Sequence, residues 1–590
     1  MAWREYRSSA VMFSISVALP TLAVLGTWLG LAPVDLVVVS IYLLGITWIG
    51  LRSGRGARTS GEYFMPRKFG KWMLAMATFG TGTSSDQAVT VASKCYVSGA
   101  SGIWYQWLFM FATPFFWLVM PLLRRFRAIT VADIFEARFD RGVGHLFCVA
   151  GLLKSALSLG LVLKGAAAVL DASSGNHLNS ELMPVLLTIS FLAYSIVGGL
   201  SAAVVTESFQ SLLIIVFSFL LLPGVLHAVG GMQGMKRTLD NQAMFTLFNP
   251  GEVGVFHVIM LTLSSLAMLV MIPHNLGVSS ASRREADGQV GFVTGAFIKR
   301  VCTVAWCLTG LGGAAYFAGR SVNPDHIYGL LAQEFLPALL PGLLGLFIAC
   351  VLAASMCTCS AILVAASALF TNNLYRTFFP AQSETRYIGI GRLTMVAVAG
   401  AGLAFALLVP GLVEGLEIII AITPIMGITF WMGFFWRRMS VPAVWAATAV
   451  GYATGAFCAL SWSVGSITSV WSGFVKVSAA GAAVQPAWEI LFIFITTIAA
   501  AVAVSLVTRP VGSDKLERFY ALARTPVSPG EVILEPCTLP EGAVVPEPRL
   551  WIAWGDLQIP QPGRRSTVGF LVCCAIVAIL VFGFERILAL

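Results

Sequence analysis

The chain has 590 residues, of which 57% are hydrophobic and only 11% charged, where a soluble domain carries about 25% charged residues. A chain of this length and composition cannot cover a water-facing surface, which excludes a soluble enzyme or binding module and makes lipid much of its solvent. The net charge of +9 does not point to nucleic acid, because the basic residues cluster between apolar runs, where the positive-inside rule puts them.

About fifteen apolar runs approach the roughly 20 residues of a bilayer-crossing helix. They lie near 11–31, 35–52, 69–97, 101–123, 143–170, 183–199, 202–229, 254–281, 291–318, 338–370, 387–410, 414–435, 441–462, 487–508 and 566–588. The first reads as an extra N-terminal span within 1–34, since it is long, lacks a small-residue cleavage site and runs straight into another span. Basic clusters follow Arg52, at Arg124, Arg125 and Arg127, at Arg283 and Arg284, at Arg437 and Arg438, and from Arg509 to Arg565. Alternating spans put all of them on one side, read as the cytoplasm, with the N-terminus inside and the C-terminus outside. The Pro- and Glu-rich stretch 509–565 reads as a cytoplasmic linker to a last span in 566–590.

The run at 69–97 carries Phe79-Gly80-Thr81-Gly82-Thr83-Ser84-Ser85-Asp86-Gln87 at membrane depth. Non-helical backbone is tolerated there only where it lines a cavity or lies buried in protein. The glycines permit unwinding, and unwinding frees carbonyls that can ligate a hard cation. Thr83, Gln87, Thr90 and Lys94 then share one helical face. A second interruption, Ile272-Pro273-His274-Asn275-Leu276-Gly277, falls five spans later, so the two broken helices run in opposite directions. Paired interruptions in inverted halves point to a transporter's binding site. A third polar patch, Ser355-Met356-Cys357-Thr358-Cys359-Ser360, reads either as hydroxyls bonded back to their own helix or as part of a cation site built on Thr358. Gln106, Lys154, Lys164 and Glu207 are further intramembrane polar residues, although Lys94 and Glu207 sit close enough to span ends to snorkel.

Several segments resemble one family. Gly61-Glu62-Tyr63-Phe64, Ser84-Ser85-Asp86-Gln87, Ser101 to Trp107, Thr130-Val131-Ala132-Asp133, Gly198-Gly199 with Thr206-Glu207 and Gln210, and Ala368 to Arg376 are similar, in order, to motifs of the sodium/solute symporters. The resemblance covers roughly 35–508. It implies an all-α, LeuT-like membrane fold of two inverted five-helix repeats, near 69–229 and 254–435, plus flanking helices. It also implies alternating access driven by a sodium gradient, with no covalent chemistry. The family's sodium site, carried over, falls on Gly80, Thr83, Ala354, Cys357 and Thr358. Its solute pocket falls on Gln87, Gln106, His274 and Asn275, beside Ser85 and Asp86 of the unwound helix. Three positions depart from the pattern. Cys357 replaces a hydroxyl, and a thiol is a poor ligand for a hard cation. Gln106 stands where the family's sugar transporters carry a carboxylate, and Pro273-His274-Asn275 differs in the sixth core helix. His274 leaves H+ coupling as an alternative, alongside an ion-independent facilitator and a transporter-like sensor. The expected partners are a small-molecule solute and the lipid bilayer, with no nucleic acid, and the solute's identity stays open.

Overall fold

The structure is a computed structural model that describes residues 31–53, 67–175, 182–409, 411–459, 472–478, 481–528, 531, 533 and 535–590. The expected first span, 11–31, and the Gly61–Phe64 motif lie outside these residues. Helix dominates. The principal helices are α1 (Pro33–Ser53), α2 (Lys71–Thr81), α3 (Ser85–Ser98), α4 (Thr113–Arg125), α5 (Val131–Arg138), α6 (Arg141–Ser173), α7 (Leu182–Leu220), α8 (Leu222–Val229), α9 (Val255–Met268), α10 (Pro273–Ser280), α11 (Glu285–Tyr316), α12 (Ile327–Leu339) and α13 (Leu343–Ala368). They continue as α14 (Glu384–Leu408), α15 (Leu412–Ile422), α16 (Pro424–Phe435), α17 (Val441–Ala459), α18 (Pro486–Val507), α19 (Ser513–Arg524) and α20 (Arg564–Ala589). Two small antiparallel hairpins join them, β1 (Val475–Ser478) with β2 (Gly481–Val484) and β3 (Leu550–Trp554) with β4 (Leu557–Pro560).

Among the described residues, nine helical segments are long and apolar enough to cross a membrane, with shorter apolar stretches at Pro33–Ile49 and Val255–Met268. The chain is helical from Leu182 to Leu220 (α7), through Gly198 and Gly199, and Ala203–Val229, the run expected at 202–229, is by itself long and apolar enough to cross. Helix α13 is apolar all round, and its most apolar window is wholly enclosed, as such a helix must be inside a bundle. It packs on α7, α6, α1 and α14, while α11 lies along α2 and α3.

Both expected interruptions are present. Between α2 and α3 the chain leaves the helix at Gly82 and re-enters after Ser84, whose extended backbone (φ −99°, ψ 164°) caps α3. Between α9 and α10 it turns through Leu269–Ile272, and Pro273 opens the new helix, a position where its missing N–H costs nothing.

The stretch 509–565 is more than a linker. Leu516, Phe519, Tyr520, Leu522 and Ala523 form a buried face of α19, which packs on α4 and α5. Glu531 then closes a buried ion pair with Arg127 (2.5 Å). Arg125 pairs with Glu285 (3.1 Å), Arg437 with Glu517, and Arg67 donates to the Arg127 carbonyl (3.1 Å). The basic clusters expected on one side thus meet in space, tied together by the segment that follows Arg509.

Candidate functional site

The first break is held from two sides. Thr358 on α13 places its Oγ1 3.0 Å from the Thr81 carbonyl and 3.4 Å from that of Gly80. From α7, the carboxylate of Glu207 accepts a hydrogen bond from Thr81 Oγ1 at 2.9 Å. Glu207 is fully buried, so it does not snorkel. Its second oxygen, Oε1, has no protein partner among the described residues. Gly80 is required by this packing. A Cβ there would stand 2.6 Å from Ser211 Oγ and 2.7 Å from Cys357 Sγ, distances that side-chain carbons do not adopt. Thr83 is buried with its hydroxyl unpartnered among the described residues. Ala354 lies one turn before Thr358, on the same stripe of α13.

The polar patch on α13 divides between its two readings. Ser355 and Ser360 bond back to carbonyls of their own helix, Val351 at 2.8 Å and Cys357 at 3.3 Å. Thr358 instead spends its hydroxyl on the broken helix.

Beside this cluster is a cavity of about 180 Å³. Asp86, Gln87, Gln106, His274 and Asn275 line it, so it brings together five of the six residues expected to meet a solute. Ser85 is the exception. Its hydroxyl turns away to Ser355 Oγ at 2.8 Å, and Ser84 takes the place on the cavity wall. Thr358 lines the same cavity. The carbonyl–hydroxyl cluster and the cavity therefore share a residue. Apolar walls come from Phe109, Phe116, Met268, Phe292 and Ile362.

Of the four residues assigned to one face, Gln87 reaches the cavity, while Thr90 bonds back to the Asp86 carbonyl at 2.6 Å. Lys94 lies near the far end of α3, 3.8 Å from Glu252. Lys154 lines the cavity, whereas Lys164 donates to the Val409 carbonyl. The sequence reading missed Lys299 and Arg300, which enter the cavity from α11. The available signal was two adjacent cations inside the apolar run 291–318 of a 32-residue helix.

The profile of the sodium:solute symporter family matches residues 63–451. The sodium/pantothenate symporter of Escherichia coli (strain K12) is 24% identical over 442 residues, covering 70% of this chain and 88% of the relative. The sodium-dependent multivitamin transporter of Oryctolagus cuniculus is 25% identical over 530 residues, covering 83% and 79%. The sodium/glucose cotransporter of Vibrio parahaemolyticus is 23% identical over 463 residues, covering 69% and 82%. Among solved structures, the substrate-bound outward-open state of a Na+-coupled sialic acid symporter is similar with a TM-score of 0.66 at 16% identity, covering 81% of this chain and 98% of that one. That likeness establishes the LeuT-like fold.

Proposed function

Because the chain belongs to the sodium:solute symporter family, we propose that it carries a small polar organic solute across a cell membrane together with Na+, through the cavity between its two broken helices. The observation that carries this is the double position of Thr358, which touches the Gly80 and Thr81 carbonyls at the end of α2 and also lines the cavity.

The Gly80 and Thr81 carbonyls and the Thr358 hydroxyl form an oxygen-only set, which suits a hard cation, and broken-helix carbonyls are the usual sodium ligands of such folds. Ala354 and Thr83 complete the neighbourhood. Cys357 packs its thiol against Gly80 and contributes no hard oxygen, while the Glu207 carboxyl reaches the same break through Thr81. Gln87, Gln106, His274 and Asn275 supply the polar contacts that orient a solute, against a wall of aromatic side chains. A cation drawing the α2 carbonyls toward Thr358 and a solute held by the start of α3 favour the same arrangement of one break. Each therefore strengthens the other's binding.

The relatives carry solutes as different as pantothenate and glucose by their names, so kinship alone does not select one. We place the N-terminus and the 509–565 segment in the cytoplasm, supported by the gathering of basic clusters at one end of the bundle.

Thermal unfolding of the purified protein tests the reading, with Na+ exchanged for K+ at constant ionic strength. A ligand that binds only the folded state raises its stability by RT ln(1 + [L]/Kd). A Na+-specific rise that disappears in Thr358→Ala supports symport. The same rise in K+, or a rise untouched by Thr358→Ala, refutes this site.

A further inference from the structure

The charges around the cavity do not balance. Lys154 from α6 and Lys299 and Arg300 from α11 all line it, and Asp86 is the one carboxylate that does. Three cations against one anion leave a formal excess of two positive charges; His274 and the amides of Gln87, Gln106 and Asn275 add none when the imidazole is neutral. Lys154 and Arg300 are almost fully enclosed, and Lys299 is half-buried. Elsewhere in the bundle Lys94 lies by Glu252, Arg125 by Glu285 and Arg127 by Glu531, and Arg138 is held by the Gly433 and Trp436 carbonyls. Among the described residues, no carboxylate lies within ion-pair distance of Lys154, Lys299 or Arg300.

Their protein contacts are sparse. Arg300 Nη1 donates to the Gln106 carbonyl at 2.7 Å, which aims the guanidinium at the cavity, and its Nε has no partner among the described residues. Lys154 Nζ lies 3.5 Å from Ser158 Oγ. Uncompensated charge at membrane depth is costly and is kept where a substrate or an ion compensates it.

We infer that the solute is a small organic anion, a carboxylate with an apolar body, whose head is received by Lys154, Lys299 and Arg300. The inference rests on the symport reading and narrows it. A planar carboxylate suits a guanidinium fork, and the aromatic and aliphatic wall of Phe109, Phe116, Phe292 and Ile362 suits a hydrocarbon remainder. The cavity, at about 180 Å³, is smaller than the ~300–1,000 Å³ clefts that take drug-sized ligands, so the anion is of metabolite size.

The test compares isosteric pairs in saturating Na+: propionate, lactate, butyrate and hexanoate against propionamide, lactamide, butyramide and hexanamide. The readout is thermal stabilisation of the full-length protein. The carboxylates are expected to stabilise and the amides not to. Lys299→Gln is expected to weaken carboxylate binding by about tenfold, the loss of one charged hydrogen bond, while its response to Na+ alone is retained, which also shows that it is folded. Lys154→Gln serves if Lys299→Gln does not fold. Amides as effective as acids, no acid effect in a protein that still responds to Na+, or an acid effect unchanged in both variants would each overturn the anion assignment and leave sodium symport standing. Stabilisation by the acids without any response to Na+ would keep the anion site and overturn sodium coupling.

Discussion

The two broken helices use one sequence device, a small or cyclic residue at membrane depth, yet their surroundings differ. The break between α2 and α3 is boxed in. Thr358 sits on its carbonyls, Glu207 on its threonine, and a Cβ at Gly80 would meet Ser211 and Cys357 inside 3 Å. The break between α9 and α10 is open, and a Cβ at Gly277 would have no neighbour within 4 Å. Close packing fixes carbonyl positions, as a small bare ion demands, whereas an open break leaves His274 and Asn275 room to present side chains to the cavity. On the proposed reading, the first break serves the ion and the second forms a wall of the solute chamber.

The most direct way to break this comparison is Thr358→Ala. Loss of a hydroxyl oxygen from a charged site costs about 1.5–3 kcal/mol, so Na+ affinity should fall by roughly tenfold to a hundredfold, read from the Na+ dependence of unfolding or of initial uptake. Ser360→Ala, on the same helix but bonded to its own backbone, should leave Na+ affinity unchanged. Equal losses in the two variants would mean that the hydroxyl acts only in packing. Next come the glycines. Gly80→Ala should destabilise by about 1–3 kcal/mol through overpacking. Gly277→Ala, inside a helix with space around it, should hold or slightly raise the melting temperature, as removal of a helical glycine does. Matching melting curves would erase the difference between the breaks.

Much of this was legible in the sequence. Gly80-Thr81-Gly82 and Ile272-Pro273 announce breaks because both carry helix-weakening residues at a depth where freed backbone must be buried or line a cavity. Asp86, Gln87, Gln106, His274 and Asn275 announce a cavity because polar groups at that depth need one. What stayed hidden depended on distance between elements. No local pattern says that Ser85 turns to Ser355, or that Glu207, three residues past Val204 in a long helix, meets Thr81 rather than water. Lys299 and Arg300 lie inside an apolar run, and only the packing of α11 shows that they enter the cavity. The Thr130–Asp133 motif forms a capping box on α5, and Asn373, from the Ala368–Arg376 segment, donates to Asp133 at 2.6 Å. The apolar face of α19 escaped notice because its spacing lies within a Pro- and Glu-rich stretch whose composition resembles a linker.

A further variant sharpens the contrast from the side of the wall. Asn275→Ala removes one neutral polar contact, worth about 0.5–1.5 kcal/mol. It should raise the solute's KM about two- to tenfold, while the Na+ affinity measured without solute stays unchanged. A parallel loss of Na+ affinity would show that the second break also forms part of the ion site.

The smallest effect expected is a gain. Cys357 occupies the position next to Thr358 where the resemblance implies a hydroxyl, and its sulfur lies against Gly80 at the ion-site break. Cys357→Ser keeps the shape closely and exchanges a soft donor for a hard one. If the side chain faces the carbonyl cluster, the new hydroxyl adds a neutral oxygen contact and tightens Na+ about two- to tenfold, visible as a lower Na+ concentration for half-maximal stabilisation. If the side chain instead only fills the gap between Gly80 and Ser211, the smaller oxygen loses contacts, the melting temperature falls slightly and Na+ affinity stays where it was. Because Thr358→Ala has an independent expectation, the pair of variants separates a weak sodium site with one thiol ligand from a site that needs only the Thr358 hydroxyl and two carbonyls.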